Sequence, residues 1–176
     1  MGAVFTIMLF FILIVAIISL ICAIIKYIFD GFGLMEMAKA KNEKYPWLSW
    51  IPYAKEYLLG KLAYNSNIGG TAYLCITIGV SIISFIVSFI VGFVGEYYED
   101  LTLALVIPYI FIMILSIAYS VFYYITMYKL YKQFSDKSVI MIVFTILTGG
   151  MLSPIFIFAI RKNKLQGNNT NMPNNM

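Results

Sequence analysis

Histidine is absent from the 176-residue chain, cysteine occurs twice, and only 11% of the residues are charged. Each scarcity excludes something. Without histidine the commonest metal ligand and the usual neutral-pH proton carrier are missing. Cys22 and Cys75 are too few for a disulfide framework or a thiolate metal centre, and both sit deep in apolar sequence as small packing residues. An ordinary soluble domain carries roughly a quarter charged residues. A chain that is 62% hydrophobic, with a mean hydropathy of +0.90, lacks the polar side chains to cover a surface in water. Lipid must cover it instead, and no catalytic, cofactor-binding or metal-binding residue is assigned.

Four stretches lack charge for long enough to cross about 30 Å of hydrocarbon, which takes about 20 helical residues: 4–25, 71–95, 101–127 and 139–160. They are continuously apolar rather than alternating, and backbone polar groups in lipid must be satisfied within the segment, so helices are expected and barrel strands are not. The expected fold is an all-α helical integral membrane protein of four transmembrane helices. Residues 1–165 form one domain, and 166–176 form a disordered, Asn-rich tail. Met1 to Cys22 has no basic leader and no small-residue cleavage motif, so it reads as a retained anchor rather than a signal peptide. The myristoylation pattern at Gly2 and the sequon at Asn168 read as accidental matches.

Charge is distributed unevenly. Six lysines lie between Lys26 and Lys61, and Lys129, Lys132 and Lys137 follow the third span, while the turn holding Glu96, Glu99 and Asp100 has no base. The positive-inside rule puts the Lys-rich connections in the cytoplasm and the N-terminus outside. Four crossings would then leave Arg161, Lys162 and Lys164 on the wrong side. The fourth stretch contains Gly149, Gly150 and Pro154, which fit two structures: a kinked fourth span, the simpler expectation, or two half-helices that re-enter at Gly149-Gly150 and leave every base inside.

Between the first two spans, residues 34–64 are neither membrane core nor simple loop. Gly31-Phe32-Gly33 is expected to end the first helix, Glu36 and Lys39 are spaced to pair on a short helix, and Pro46 breaks it. The helical stretch that follows reads as an interfacial helix on the cytoplasmic side, anchored at headgroup depth by Trp47, Trp50, Tyr53, Tyr57, Lys55 and Lys61. The bilayer with its anionic headgroups is the expected partner of these lysines, and nucleic acid is not. The run from Trp50 to Ala63, W-I-P-Y-A-K-E-Y-L-L-G-K-L-A, resembles a segment of a family of uncharacterised small multi-pass bacterial membrane proteins that share W-I-P-x-x-x-x-Y-L-L-G-K after the first span. The resemblance covers about half the chain and implies architecture and a bacterial membrane, not an activity. Where those proteins carry Asn after the proline-aromatic-small triplet, Lys55 stands here.

In the second span Thr77, Ser81, Ser84, Ser88, Gly92 and Gly95 keep one helix face small and weakly polar, a packing face for another helix of this chain or of a neighbouring copy. Ser116 and Ser120 in the third span are spaced to meet it, and Tyr119, Tyr123, Tyr124, Tyr128 and Tyr131 crowd the cytoplasmic half. No ionisable residue falls within the four apolar cores, which speaks against proton relays and ion-coupled sites. The chain is therefore expected to be non-enzymatic: an accessory or scaffold component of a membrane complex in export, envelope maintenance or peptide immunity, with a membrane-protein partner or a homo-oligomeric state. A small oligomeric channel or facilitator is the second reading, and a lipid-modifying enzyme the third.

Overall fold

The computed structural model describes residues 2–97 and 102–163, with side chains over 5–93 and 106–163. The side chain at position 95, the turn with Glu99 and Asp100, and the tail from 164 onward lie outside the described residues. The order of elements is α1 (Gly2–Ala40), a 3-10 turn (Pro46–Trp50), α2 (Ala54–Tyr64), α3 (Asn67–Tyr97), α4 (Thr102–Phe134), α5 (Ser138–Leu147) and α6 (Ser153–Ile160). There is no strand among the described residues. Three helices, not four, are long and apolar enough to cross a membrane: α1, α3 and α4.

The first helix does not stop at its glycines. α1 runs 39 residues, about 58 Å at 1.5 Å per residue, through Gly31 and Gly33. Glycine costs a helix about 1 kcal/mol, and here the missing Cβ admits neighbours. A Cβ at Gly31 would come within 3.0 Å of the Trp50 indole, and one at Gly33 within 2.5 Å of Ile157. The helix ends instead at Asn42, which takes the left-handed conformation (φ 55°), while the Glu43 amide donates to the Ala38 carbonyl at 2.9 Å. The pair of Glu36 and Lys39 forms at 2.8 Å.

Residues beyond Asn42 climb back along α1. Trp50 meets Phe32 edge-on at 4.8 Å, and its carbonyl accepts a hydrogen bond from the Tyr27 hydroxyl. Tyr53 turns the chain with φ 65°, and α2 descends again to Asn65, another left-handed residue. α3 then rises against α2, tightly joined by glycines: a Cβ on Gly60 would lie 2.5 Å from Tyr73 Cβ and 2.8 Å from the Gly69 carbonyl. The stretch expected to lie flat in the interface is thus folded into the bundle, with Leu58, Leu59, Leu62 and Ala63 buried. Packing against α3 and α4 consumes the apolar positions that would otherwise face lipid.

The fourth apolar stretch is a reversal. α5 and α6 contain 10 and 8 residues, about 15 and 12 Å, too short to cross. The Gly150 amide donates to the Thr145 carbonyl at 2.8 Å, and Gly149 and Gly150 have φ values of 60° and 85°. Pro154 occupies the first turn of α6, where its missing N–H costs nothing. Contacts along α4 fix the direction of travel. Tyr131 lies 3.3 Å from Thr145, Tyr123 donates to Ser153 at 3.0 Å near the tip, and Asn163 donates back to the Phe134 carbonyl at 2.9 Å. Tyr123 is eleven residues, about 16 Å, from Phe134, so the hairpin reaches roughly half the thickness of a hydrocarbon core and returns. Arg161 and Lys162 consequently join Lys41, Lys61, Lys129, Lys132 and Lys137 at one basic end.

Two consequences are measurable. Three crossings place the termini on opposite sides, so reporters fused to the two ends should report opposite compartments; reporters on the same side would restore a fourth crossing. Gly60→Ala should lower the midpoint of thermal unfolding in detergent, since overpacking a tight contact costs about 1–3 kcal/mol; an unchanged midpoint would show that the α2–α3 contact yields.

Candidate functional site: a charged cavity at half depth

The two excursions, Pro46 to Tyr64 and Ser138 to Ile160, reach the same level, and a cavity of about 260 Å³ lies where their tips meet. Lys26 and Asp30 come from successive turns of α1, Lys55 and Glu56 from the start of α2, Tyr119, Ser120, Tyr123 and Tyr124 from α4, and Gly149 and Gly150 from the reversal. The start of α2 suits an acid, because the positive end of the helix dipole favours negative charge, and Glu56 sits in that first turn. Glycine at the tip leaves space: the nearest neighbour to a Cβ at Gly150 would be the Tyr123 ring at 3.6 Å.

The charges balance in number but are loosely joined. Lys55 Nζ lies 3.8 Å from Asp30 and 3.9 Å from Glu56, with the Tyr27 ring 5.9 Å away. A formed charge-assisted hydrogen bond measures about 2.7–2.9 Å. The side chains of Asp30 and Glu56 are only 12% and 19% exposed, whereas Lys26 and Ser120 are exposed at the rim. Acceptor and donor capacity therefore remains open toward the cavity.

The position of this cluster follows from its apolar surroundings. Val139, Ile140, Val143, Phe144, Ile146 and Leu147 are exposed along α5, starting within two residues of Lys137, and Met151 and Ile155 continue the strip. An apolar strip of this size marks a surface that lipid or another protein covers. The tip beside Asp30 and Lys55 lies at the far end of that strip from Lys137. Lys26, the first charged residue after the uncharged run of α1, lies at the rim of a polar site rather than in a bare loop.

The sequence-predicted residues are dispersed. Lys55 lines the cavity, Trp50 is wedged between α1 and the turn, Tyr57 lies against Gly70, and Trp47 and Tyr53 are exposed. Lys61 pairs with Glu43 at the basic end, and that carboxylate holds the Lys61 ammonium above its usual range. Among the described residues of the small-residue face, only Thr77 is buried inside the chain, 3.4 Å from the Tyr119 hydroxyl. Ser84 is half-buried, while Ser81, Ser88 and Gly92 are exposed. Ser81 and Ser120 do not meet; each donates to a carbonyl of its own helix at 2.8 Å, Ser81 to Thr77 and Ser120 to Ser116. Asp30, Lys26 and Tyr119 were missed as a group. The available signal was an i, i+4 lysine–aspartate pair inside an otherwise apolar helix.

A second polar knot closes the basic end. Lys41 Nζ donates to the Leu62 carbonyl at 2.6 Å and to the side-chain oxygens of Asn65 and Gln133, while Gln133 donates to the Ala63 carbonyl at 2.7 Å. This one ammonium ties α1, α2 and α4 together, and burial pushes it down to about 8. Among the described residues no group of three His, Cys, Asp or Glu side chains comes together to hold a metal ion. No family model, curated protein or solved structure matches the chain.

The Lys41 knot gives a signed expectation. Its folded-state value lies below the ordinary 10.5, so between about pH 8 and 10.5 the unfolded chain keeps a proton that the folded chain has shed. Stability from this group therefore rises with pH across that window. The thermal midpoint of Lys41→Met should rise less over the same window; parallel profiles for variant and wild type would remove the assignment.

Proposed function

We propose that this protein is a small facilitator that lets polar groups pass the hydrocarbon core of a bacterial cytoplasmic membrane, with its basic end in the cytoplasm and its N-terminus outside. The observation that supports this reading is the charged cavity at half depth, framed by two excursions that enter from the same side and turn back. Placing ionisable groups there costs about 2.5–3.5 kcal/mol for each lysine or aspartate on insertion scales. Irregular backbone at that depth is tolerated where protein buries it or where it lines a cavity, and such half-helices are a recurrent way to build a substrate site in transporters. The loose geometry of Asp30, Lys55 and Glu56 suits binding rather than covalent chemistry, and the reading is non-enzymatic. The placement of the basic end follows the positive-inside rule.

The alternative of an accessory component rests on α1, whose side chains from Ile7 to Ile25 are all exposed and offer a face to another membrane protein. The two readings part on water. With Cys22 and Cys75 replaced by serine, Ser120→Cys should react with a membrane-impermeant thiol reagent, because a thiol must ionise to react and needs water to do so. Ile110→Cys, on the exposed apolar part of the same helix, is the lipid-facing comparison and should stay unmodified. Equal inertness at both positions would sink the facilitator reading.

A further inference from the structure

The cavity has an unusual entrance. α1 packs on α2, α6 and the 3-10 turn through its second half, while every side chain from Phe5 to Ile25 is exposed. On α4, Val106, Ile107, Ile110, Ile114 and Ile117 are exposed as well. Above the level of Lys26 and Ser120, therefore, α1 stands apart from α3 and α4. The polar floor opens toward largely apolar helix faces, interrupted by Ser19, Tyr109 and Ser116, which a bilayer would cover.

A closed water pore is a poor fit to this arrangement, since the cleft opens sideways into lipid. A small free solute would gain nothing from walls of isoleucine and phenylalanine extending from Lys26 to Phe5, about 31 Å at 1.5 Å per residue. An amphiphile uses both parts. Its acyl chains lie along α1 and α4 as they would against any apolar helix, and its head reaches the floor. The cavity of about 260 Å³ falls below the roughly 300–1,000 Å³ typical of sites that enclose a drug-sized ligand. It takes a headgroup and leaves the chains outside. The floor offers two ammonium groups, Lys26 and Lys55, and two carboxylates, Asp30 and Glu56, with the Lys55 contacts stretched to 3.8 and 3.9 Å. That set matches a head carrying both signs, a phosphodiester against the lysines and an ammonium against the acids.

We propose that the group this protein passes is a zwitterionic phospholipid headgroup of the phosphatidylethanolamine type, entering sideways between α1 and α4 and pausing at Lys26, Asp30, Lys55 and Glu56 midway between the leaflets. The proposal rests on the facilitator reading and adds its substrate. No bond is made or broken.

The test uses the full chain reconstituted in vesicles with a trace of phosphatidylethanolamine that carries a fluorophore on its acyl chain, so that the head is free. A membrane-impermeant reductant bleaches only the outer-leaflet label in protein-free vesicles. With the protein present, both leaflets should bleach. Lys26→Gln, a change at an exposed position that leaves the packed core alone, and Asp30→Asn should each slow the slow phase about tenfold, the loss of about one charge-assisted contact. An acyl-labelled phosphatidylglycerol should move more slowly than the zwitterion, because its negative head meets Asp30 and Glu56 uncompensated; faster movement of the anionic lipid overturns the headgroup assignment. Unchanged rates in both variants, with thermal midpoints equal to wild type, overturn the cavity as the route. If Ser120→Cys is reachable by water and the same vesicles swell in glycine or urea while the lipid stays put, the lipid proposal fails and the facilitator reading stands. If neither lipid nor solute crosses, both fail.

Discussion

Hydrocarbon offers no hydrogen bonds, so a backbone that enters it and turns back must satisfy its own amides and carbonyls at the turn. Both excursions of this chain depend on that condition, and the rest of the fold can be read as the means of meeting it. At the first tip the Trp50 carbonyl is taken by the Tyr27 hydroxyl, and the Ala54 and Lys55 amides donate to the Pro52 and Ile51 carbonyls at 2.9 and 3.0 Å. At the second, the Gly149 and Gly150 amides close onto Ile146 and Thr145 at 3.0 and 2.8 Å, and Thr148 returns its hydroxyl to the Phe144 carbonyl. Left-handed backbone costs an L-residue about 1–2 kcal/mol, which is why two glycines occupy the second tip. Tyr53, at φ 65°, bears that cost at the first.

Satisfied turns still need protein around them, and close packing supplies it. Gly31 and Gly33 let the Trp50 turn and α6 press onto α1, while Gly60, Gly69 and Gly70 lock α2 to α3. The result is a molecule of two unlike halves. Toward the basic end, α1, α2, α4 and α6 share one core built on Met37, Leu58, Leu62, Leu130, Tyr131 and Ile157. Toward the other end α1 parts from α3 and α4, and its described side chains are exposed. The cavity lies at the junction, where packing stops.

Much of the architecture was legible in the residues, and the failures have specific causes. Long uncharged runs announced three crossing helices because nothing else stabilises them, and the Gly-Gly-Pro pattern of the fourth stretch contained its reversal, as did the awkward charge of Arg161 and Lys162. Gly31 and Gly33 were misread as helix stops because glycine serves both as a stop and as a point of close approach, and only a partner such as Trp50 or Ile157 distinguishes the two uses. The segment from Pro46 to Tyr64 was read as interfacial because aromatic and lysine residues interleaved with leucines suit a membrane surface as well as the wall of a polar cavity. The Ser81 to Gly92 face fits helix packing, yet whether it packs is decided by the bulk of Tyr73, Phe122 and Tyr119 on and opposite it, which no single-helix pattern contains.

The same ambiguity bears on Lys26 and Asp30. A charge at the end of an apolar run ordinarily marks the water boundary, and 25 residues without a charged side chain before Lys26 made that reading natural. The proposed placement departs from it because depth is set by the whole molecule and not by one helix: the exposed strip of α5 suits hydrocarbon opposite residues that lie below Asp30. Once the boundary moves, the two lysines and two acids become a cost that the fold carries without making its ion pairs tight. A purely structural cluster would gain by closing to about 2.7–2.9 Å, where a charge-assisted hydrogen bond forms. Separation of 3.8 Å beside an open space of about 260 Å³ suits the proposed role of a site that something enters, and the apolar helix faces above suit a guest that brings hydrocarbon with it.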